Sequence, residues 1–229
     1  LERGGQVEWT FEVAGLDETV PLDLVSPPQG APLVSGLGDL DGFRHDVLDA
    51  ATVQFEGPRY SNTESLDYAG QQPQVLVRSG HLHGDDHALV RAAYSRDGGA
   101  TWSEPEAINS GAAQPGAVLW SDLVVSAGRM VHVTWQEWDE ASGTRTLWHR
   151  LSPDNGISWG PATRIGALGT EPGAAFLLKD PAEGTHLVGL SHEMVPAGND
   201  HSGDWSLGHW QWVDERERWE VGESLEIKC

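Results

Sequence analysis

The chain has 229 residues, enough to bury a substantial core in one large domain or two small ones. Its 14 Lys+Arg against 35 Asp+Glu give a formal net charge of −21, a surface that repels phosphate backbones and anionic membrane faces and so disfavours nucleic-acid binding. No run of about 18 apolar residues offers a membrane span.

At the start, "LERGGQVEW" carries neither a Met nor the basic-then-apolar pattern of a leader, so a processed or excerpted chain is expected. The next segment, "SPPQGAPLVSGLGDLDGFRHDVLDA" at 26–50, is rich in Pro and Gly and holds Asp39, Asp41, Asp46 and Asp49. Three chemistries fit it. Asp39, Asp41 and Asp46 could ligate a cation through oxygen, but the D-x-D-x-D-G-x5-E calcium pattern is missing. Carboxylates of this kind also cap tight turns, the reading preferred for Asp41, Asp46 and Asp49. The third reading is a carboxylic acid held at a strand–loop junction for glycan hydrolysis, which needs one protonated and one ionised carboxyl group.

Further on, "GHLHGDDH" gathers His81, His83, Asp85, Asp86 and His87, a divalent-metal pattern that reads more simply as a solvated loop between strands. No metal and no cofactor is expected. Two boxes follow the pattern Ser-x-Asp-x-Gly-x-x-Trp and lie 57 residues apart: Ser95, Asp97, Gly99 and Trp102, then Ser152, Asp154, Gly156 and Trp159. A degenerate third copy keeps only Asp214 and Trp219. Each follows a strand-like run ("ALVRAAY", "TLWHRL", "LGHWQW"), and alternating runs such as "MVHVTWQEW" recur between them with no helical period.

A strand-built period of this length predicts an all-β fold, a β-propeller of four-stranded blades. Blades are expected near 75–130, 131–190 and 191–229, after an opening segment over 1–50. About four blades make a partial ring, to be completed by further sequence or a partner chain. The boxes are similar to the Asp-box of sialidases, xyloglucanases and sortilin-type receptors, which implies structural roles: Asp bonds backbone N–H groups across a hairpin, Gly supplies positive φ, and Trp wedges between blades. Eleven Trp against four Phe and three Tyr fit such a repeat, but Trp120, Trp135 and Trp138 stand outside the boxes. They are candidate sugar-stacking platforms, with inter-blade filling as the simpler role. The polar stretch "SHEMVPAGNDHSGDW" at 191–205 is a candidate recognition loop. The single cysteine, Cys229, permits no intrachain disulfide.

The run from 14 to 104, through "SPPQGAPLVSGLGDLDGFRHD", "NTESLDYA" and the first box, resembles the C-terminal propeller of the xyloglucanase family, and after Trp102 the likeness shifts toward generic sialidase-type repeats. The resemblance implies an inverting endo-glucanase chemistry with one catalytic aspartate from each of two propellers. The position matching the family's Gly-Asp-x-x-Gly-Phe segment is Asp39, the candidate general acid. The partner aspartate is absent, "LDE" replaces the usual acidic pair, and Asp41 sits at a commonly small or apolar position.

The leading functional expectation is therefore a glycoside hydrolase-like propeller acting on or binding β-glucan of the xyloglucan type, incomplete as it stands. The rivals are a non-catalytic carbohydrate-binding or protein-interaction propeller, and a sialidase-like hydrolase. A sialidase needs three arginines for the substrate carboxylate, and only Arg44, within "GFRHD", offers itself as a binding residue. Strong acidity and the lack of lipidation signals suit a secreted or cell-envelope protein.

Overall fold

The computed structural model describes residues 19–50, 52–85, 87–109, 117–126, 128–141, 143–167, 175–180, 182, 184–193, 204–222 and 225–227. Short runs of β-branched and aromatic residues between Gly, Pro and Asp turns form strands throughout, gathered into four antiparallel sheets. The first contains β1 (Val20–Val25), β2 (Leu33–Gly38), β3 (Gly42–His45) and β4 (Val53–Gln54). The second contains β5 (Tyr60–Ala69), β6 (Gln72–Leu82), β7 (Arg91–Ser95) and β8 (Glu106–Ala107). The third contains β9 (Val118–Ser126), β10 (Met130–Asp139), β11 (Thr144–Ser152) and β12 (Thr163–Ala167). The fourth contains β13 (Ala175–Lys179), β14 (Thr185–Glu193), β15 (Asp204–Val213) and β16 (Arg218–Val221), with β17 (Leu225–Ile227) added beside β15.

Each sheet is a propeller blade. The first strands β1, β5, β9 and β13 lie side by side, so they line the axis and the later strands run outward. The sheets run over 20–54, 60–107, 118–167 and 175–227, so the opening segment supplies three strands of the first blade. The repeat fixes a period but not its phase: the boxes mark the outer hairpin of a blade rather than its start.

The core lies between blades. Val34, Phe55, Tyr60, Leu66, Leu76 and Trp102 fill the first gap. Val75, Val77, Val125, Val133 and Trp135, with Trp159, fill the second, and Val124, Leu147, Leu177 and Leu187 join Trp210 and Trp219 in the third. Complete burial of such a side chain contributes about 1.5–3 kcal/mol.

At the axis, successive blades are joined by carboxylates. Asp23 accepts the Leu66 amide proton at 2.7 Å, Asp67 that of Val125 at 2.8 Å, and Asp122 that of Leu177 at 2.7 Å. Each blade thus satisfies a backbone donor on the next.

Both complete boxes close as the motif dictates. The Asp97 carboxylate accepts from the Ser95 hydroxyl (2.8 Å) and from the Thr101 amide and hydroxyl (2.9 and 2.6 Å), while the Gly99 amide donates to Ser95 Oγ at 2.8 Å. Asp154 repeats this with Ser152 and Ser158. Gly99 and Gly156, at φ +85° and +82°, need the left-handed region that glycine enters without Cβ strain. The third copy is different. Having lost its Ser and Gly, it folds as a 3-10 turn over Asp214–Arg216, closed by Glu217 in the left-handed region, and only Trp219 keeps the inter-blade role.

Candidate functional site

Because the strands alternate in direction, the β2–β3 turn, the β4–β5 connection, the β6–β7 loop and the β10–β11 turn gather at one end of the blades. Hydrogen bonds stitch that end together: the Asp39 amide donates to Asn62 Oδ1 (3.0 Å), the Val118 amide to the His87 carbonyl (2.9 Å) and the Trp138 amide to the Ala117 carbonyl (2.8 Å). It forms the mouth of the axial groove.

Asp39 stands in the β2–β3 turn with its side chain exposed and its backbone at φ +66°. Asp41, two residues on, has the same φ and the opposite environment. Its side chain is buried, accepts the Thr63 hydroxyl proton at 2.9 Å and is ion-paired to Arg78, itself fully buried. Burial lifts Asp41 above the ordinary carboxylate range against the opposing pull of Arg78 and Thr63. The Asp cluster therefore divides. Asp39 faces solvent, Asp41 joins blade 1 to blade 2, and Asp46 pairs with Arg44 at 2.7 Å.

The other site candidates scatter. Arg44 lies on β3, a third strand away from the axis, engaged by Asp46. Trp135 is not a sugar platform: it is 1 % exposed in the second inter-blade core, with its Nε1 donating to Glu137 at 2.8 Å. Its alternation on β10 points it between the blades. Trp138, at the mouth end of the same strand, is partly exposed beneath the Arg145 guanidinium. Trp120 is partly exposed on β9 and lines an axial cavity of about 400 Å³ with Asp23, Asp67, Asp122, Phe176 and Lys179.

In that cavity, burial pushes the Asp122 carboxyl up to about 6 despite hydrogen bonds from Leu177 and Ser65. Lys179 lies 2.7 Å from Asp67. Among the described residues no group of three His, Cys, Asp or Glu side chains is arranged to hold a metal ion. Of the histidine-rich run, His81 belongs to β6 and is buried 3.3 Å from Glu64, Asp85 binds Arg91 at 2.8 Å, and Asp86 lies outside the described residues. The stretch at 194–203 and Cys229 also lie outside them.

No protein-family model matches the chain. It is 46 % identical over 98 residues to a probable oligoxyloglucan-reducing end-specific xyloglucanase of Neosartorya fischeri, covering 42 % of this chain and 12 % of that protein. It is 35 % identical over 167 residues to a xyloglucanase of Acetivibrio thermocellus, 72 % of this chain and 18 % of that one. The chain is related to the xyloglucanases.

The xyloglucanase likeness runs further than residues 14–104, since 167 aligned residues exceed that span. The chain spans less than a fifth of the length of these relatives. The fold has a wider circle: an α-L-arabinanase of Penicillium chrysogenum superposes with a TM-score of 0.59 at 14 % identity, over 91 % of this chain and 66 % of that one. Within the xyloglucanase-like frame, motif reading missed Arg78, Asn62, Thr63 and Glu64. "NTES" adds to the family likeness and "LVRSG" signals a strand, but neither assigns a role to its polar residues, which gain meaning once blade 2 lies against blades 1 and 3. Glu64, buried at that second contact, accepts from the Ser121 amide and hydroxyl at 2.8 and 2.7 Å.

Proposed function

We propose that this chain supplies the acid-bearing wall of a glucan-cleaving cleft. Asp39 donates a proton to the glycosidic oxygen as the bond to the anomeric carbon breaks, and a carboxylate from a second propeller takes a proton from the water attacking the opposite face. That arrangement inverts the anomeric centre. The reading is carried by the contrast within one turn: Asp39 is offered to solvent at the mouth, whereas Asp41 is consumed by Arg78 and Thr63. A docked polysaccharide desolvates the carboxyl beneath it, which favours the protonated form that a general acid requires. The relatives named xyloglucanases support a xyloglucan-type β-glucan as the substrate, and action on such a polysaccharide in turn favours a location outside the cell or in its envelope.

Trp138, partly exposed at the same end, supports a second reading, a propeller that binds the polysaccharide without cutting it. A sialidase reading has less support. Three arginines of the first two blades already face carboxylates, Arg44 with Asp46, Arg78 with Asp41 and Arg91 with Asp85.

The deciding experiment measures reducing-end release from xyloglucan by the native assembly that carries this chain, beside an Asp39→Asn variant. Loss of about 10²–10⁴-fold in turnover with binding retained is expected. Xyloglucan binding without release in the unsubstituted protein assigns the binding function instead.

A further inference from the structure

The β2–β3 turn is costly to hold. Asp39 and Asp41 both occupy the left-handed region, where a side chain bearing Cβ is disfavoured, yet the chain does not use glycine at either position. The bonds around the turn explain what holds it. The Leu37 amide donates to the Asp41 carbonyl at 2.9 Å, Gln54 Nε2 to the Leu40 carbonyl at 2.8 Å and the Asp39 amide to Asn62 Oδ1 at 3.0 Å. Gly42 follows, with no room for a Cβ between Phe55 and the Ser35 carbonyl.

The Asp41 side chain carries the turn's only charged anchor among the described residues. Arg78 reaches it from the second strand of blade 2, and the other guanidinium nitrogen donates to the Pro58 carbonyl at 3.2 Å. The guanidinium is fixed in turn by aromatic faces, at 4.1 Å from the Tyr60 ring centroid, 4.5 Å from Trp102 and 5.1 Å from Phe55. Trp102 is the tryptophan of the first box. A continuous set of contacts therefore runs from a hairpin at the far end of blade 2, through Arg78 and Asp41, to the turn that carries Asp39.

We propose that Asp41 and Arg78 are positioning residues for Asp39, a buried clamp that fixes the candidate acid of blade 1 against blade 2. The role rests on the reading of Asp39 as the acid. Asn at position 41 keeps the shape and the Thr63 bond but not the charge, and Lys at position 78 keeps the charge but not the planar, stacked fork.

The test has two independent readouts. Hydrogen exchange, followed by NMR in the chain itself, compares the Asp39 amide with the Gly156 amide of the second box as internal reference. Asp41→Asn and Arg78→Lys are expected to speed exchange at Asp39 by about tenfold or more relative to Gly156. Because Asp41→Asn strands the buried charge of Arg78, the neutral pair Asp41→Asn with Arg78→Met serves as the variant that folds, with the same selective loss. In the cleaving assembly, kcat on xyloglucan is expected to fall by up to about 100-fold with KM little changed. Unchanged relative protection of Asp39 in the folded double variant overturns the clamp, as does an equal rise at Asp39 and Gly156. Full turnover in Asp39→Asn refutes the acid assignment instead, and leaves the exchange result to judge the clamp by itself.

Discussion

His132 and His149 face each other between blades 3 and 4, Nδ1 to Nε2 at 3.1 Å, so one neutral ring donates and the other accepts. Trp212 and Trp219 enclose them. Burial holds His132 down to about 3 and His149 well below the usual imidazole value. In the unfolded chain both rings take up protons near pH 6.5, so the unfolded state binds more protons below that pH and stability falls as the solution is acidified through it. Asp122 acts in the opposite sense: raised to about 6 from 3.8, it favours the folded state at acid pH and loses that contribution as pH rises through this window. Urea titrations between pH 7 and pH 4 therefore have two expected outcomes. The variant His132→Gln with His149→Gln shows a flatter loss of stability on acidification, since each proton otherwise accounts for about 1.4 kcal/mol per pH unit. Asp122→Asn, which keeps an acceptor for Leu177, shows a steeper one.

The hairpin boxes show where sequence is a sufficient guide. Every partner of Asp97 and Asp154 lies within four residues, and for that reason the pattern alone fixes their bonds. Replacing either aspartate by Ala is expected to cost about 1–2 kcal/mol in denaturation midpoint experiments. Asp214→Ala, at an exposed position in a 3-10 turn, is expected to stay within about 0.5 kcal/mol. At the mouth the same logic fails. "GDLDG" presents two aspartates of like backbone and unlike fate, and the distinction comes from Arg78, on a strand of another blade. Trp135 and Trp138 illustrate a second limit: both alternate on one strand, and only the neighbouring blade decides which ring is sealed away.

At the scale of the molecule, the face of blade 4 repeats that of blade 3, and among the described residues no further blade covers it. His186 and His209 stack as His132 and His149 do, with Nδ1 and Nε2 at 3.0 Å, and Asp180 sits 3.1 Å from His186. Beside the blade 4 pair, Phe176 and Leu178 are each 51 % exposed. Such a surface is expected to drive association at high concentration. Light scattering should find an apparent mass that rises with concentration, and the double change Phe176→Lys, Leu178→Lys should suppress the rise. The axial carboxylates of Asp23, Asp67 and Asp122 add a direction to this architecture, since each points from a blade to its successor. During synthesis the acceptor is in place before its donor emerges. With folding that proceeds from the N-terminus, each new inner strand is expected to meet a waiting carboxylate on the blade already made, so that assembly runs with the ribosome rather than against it.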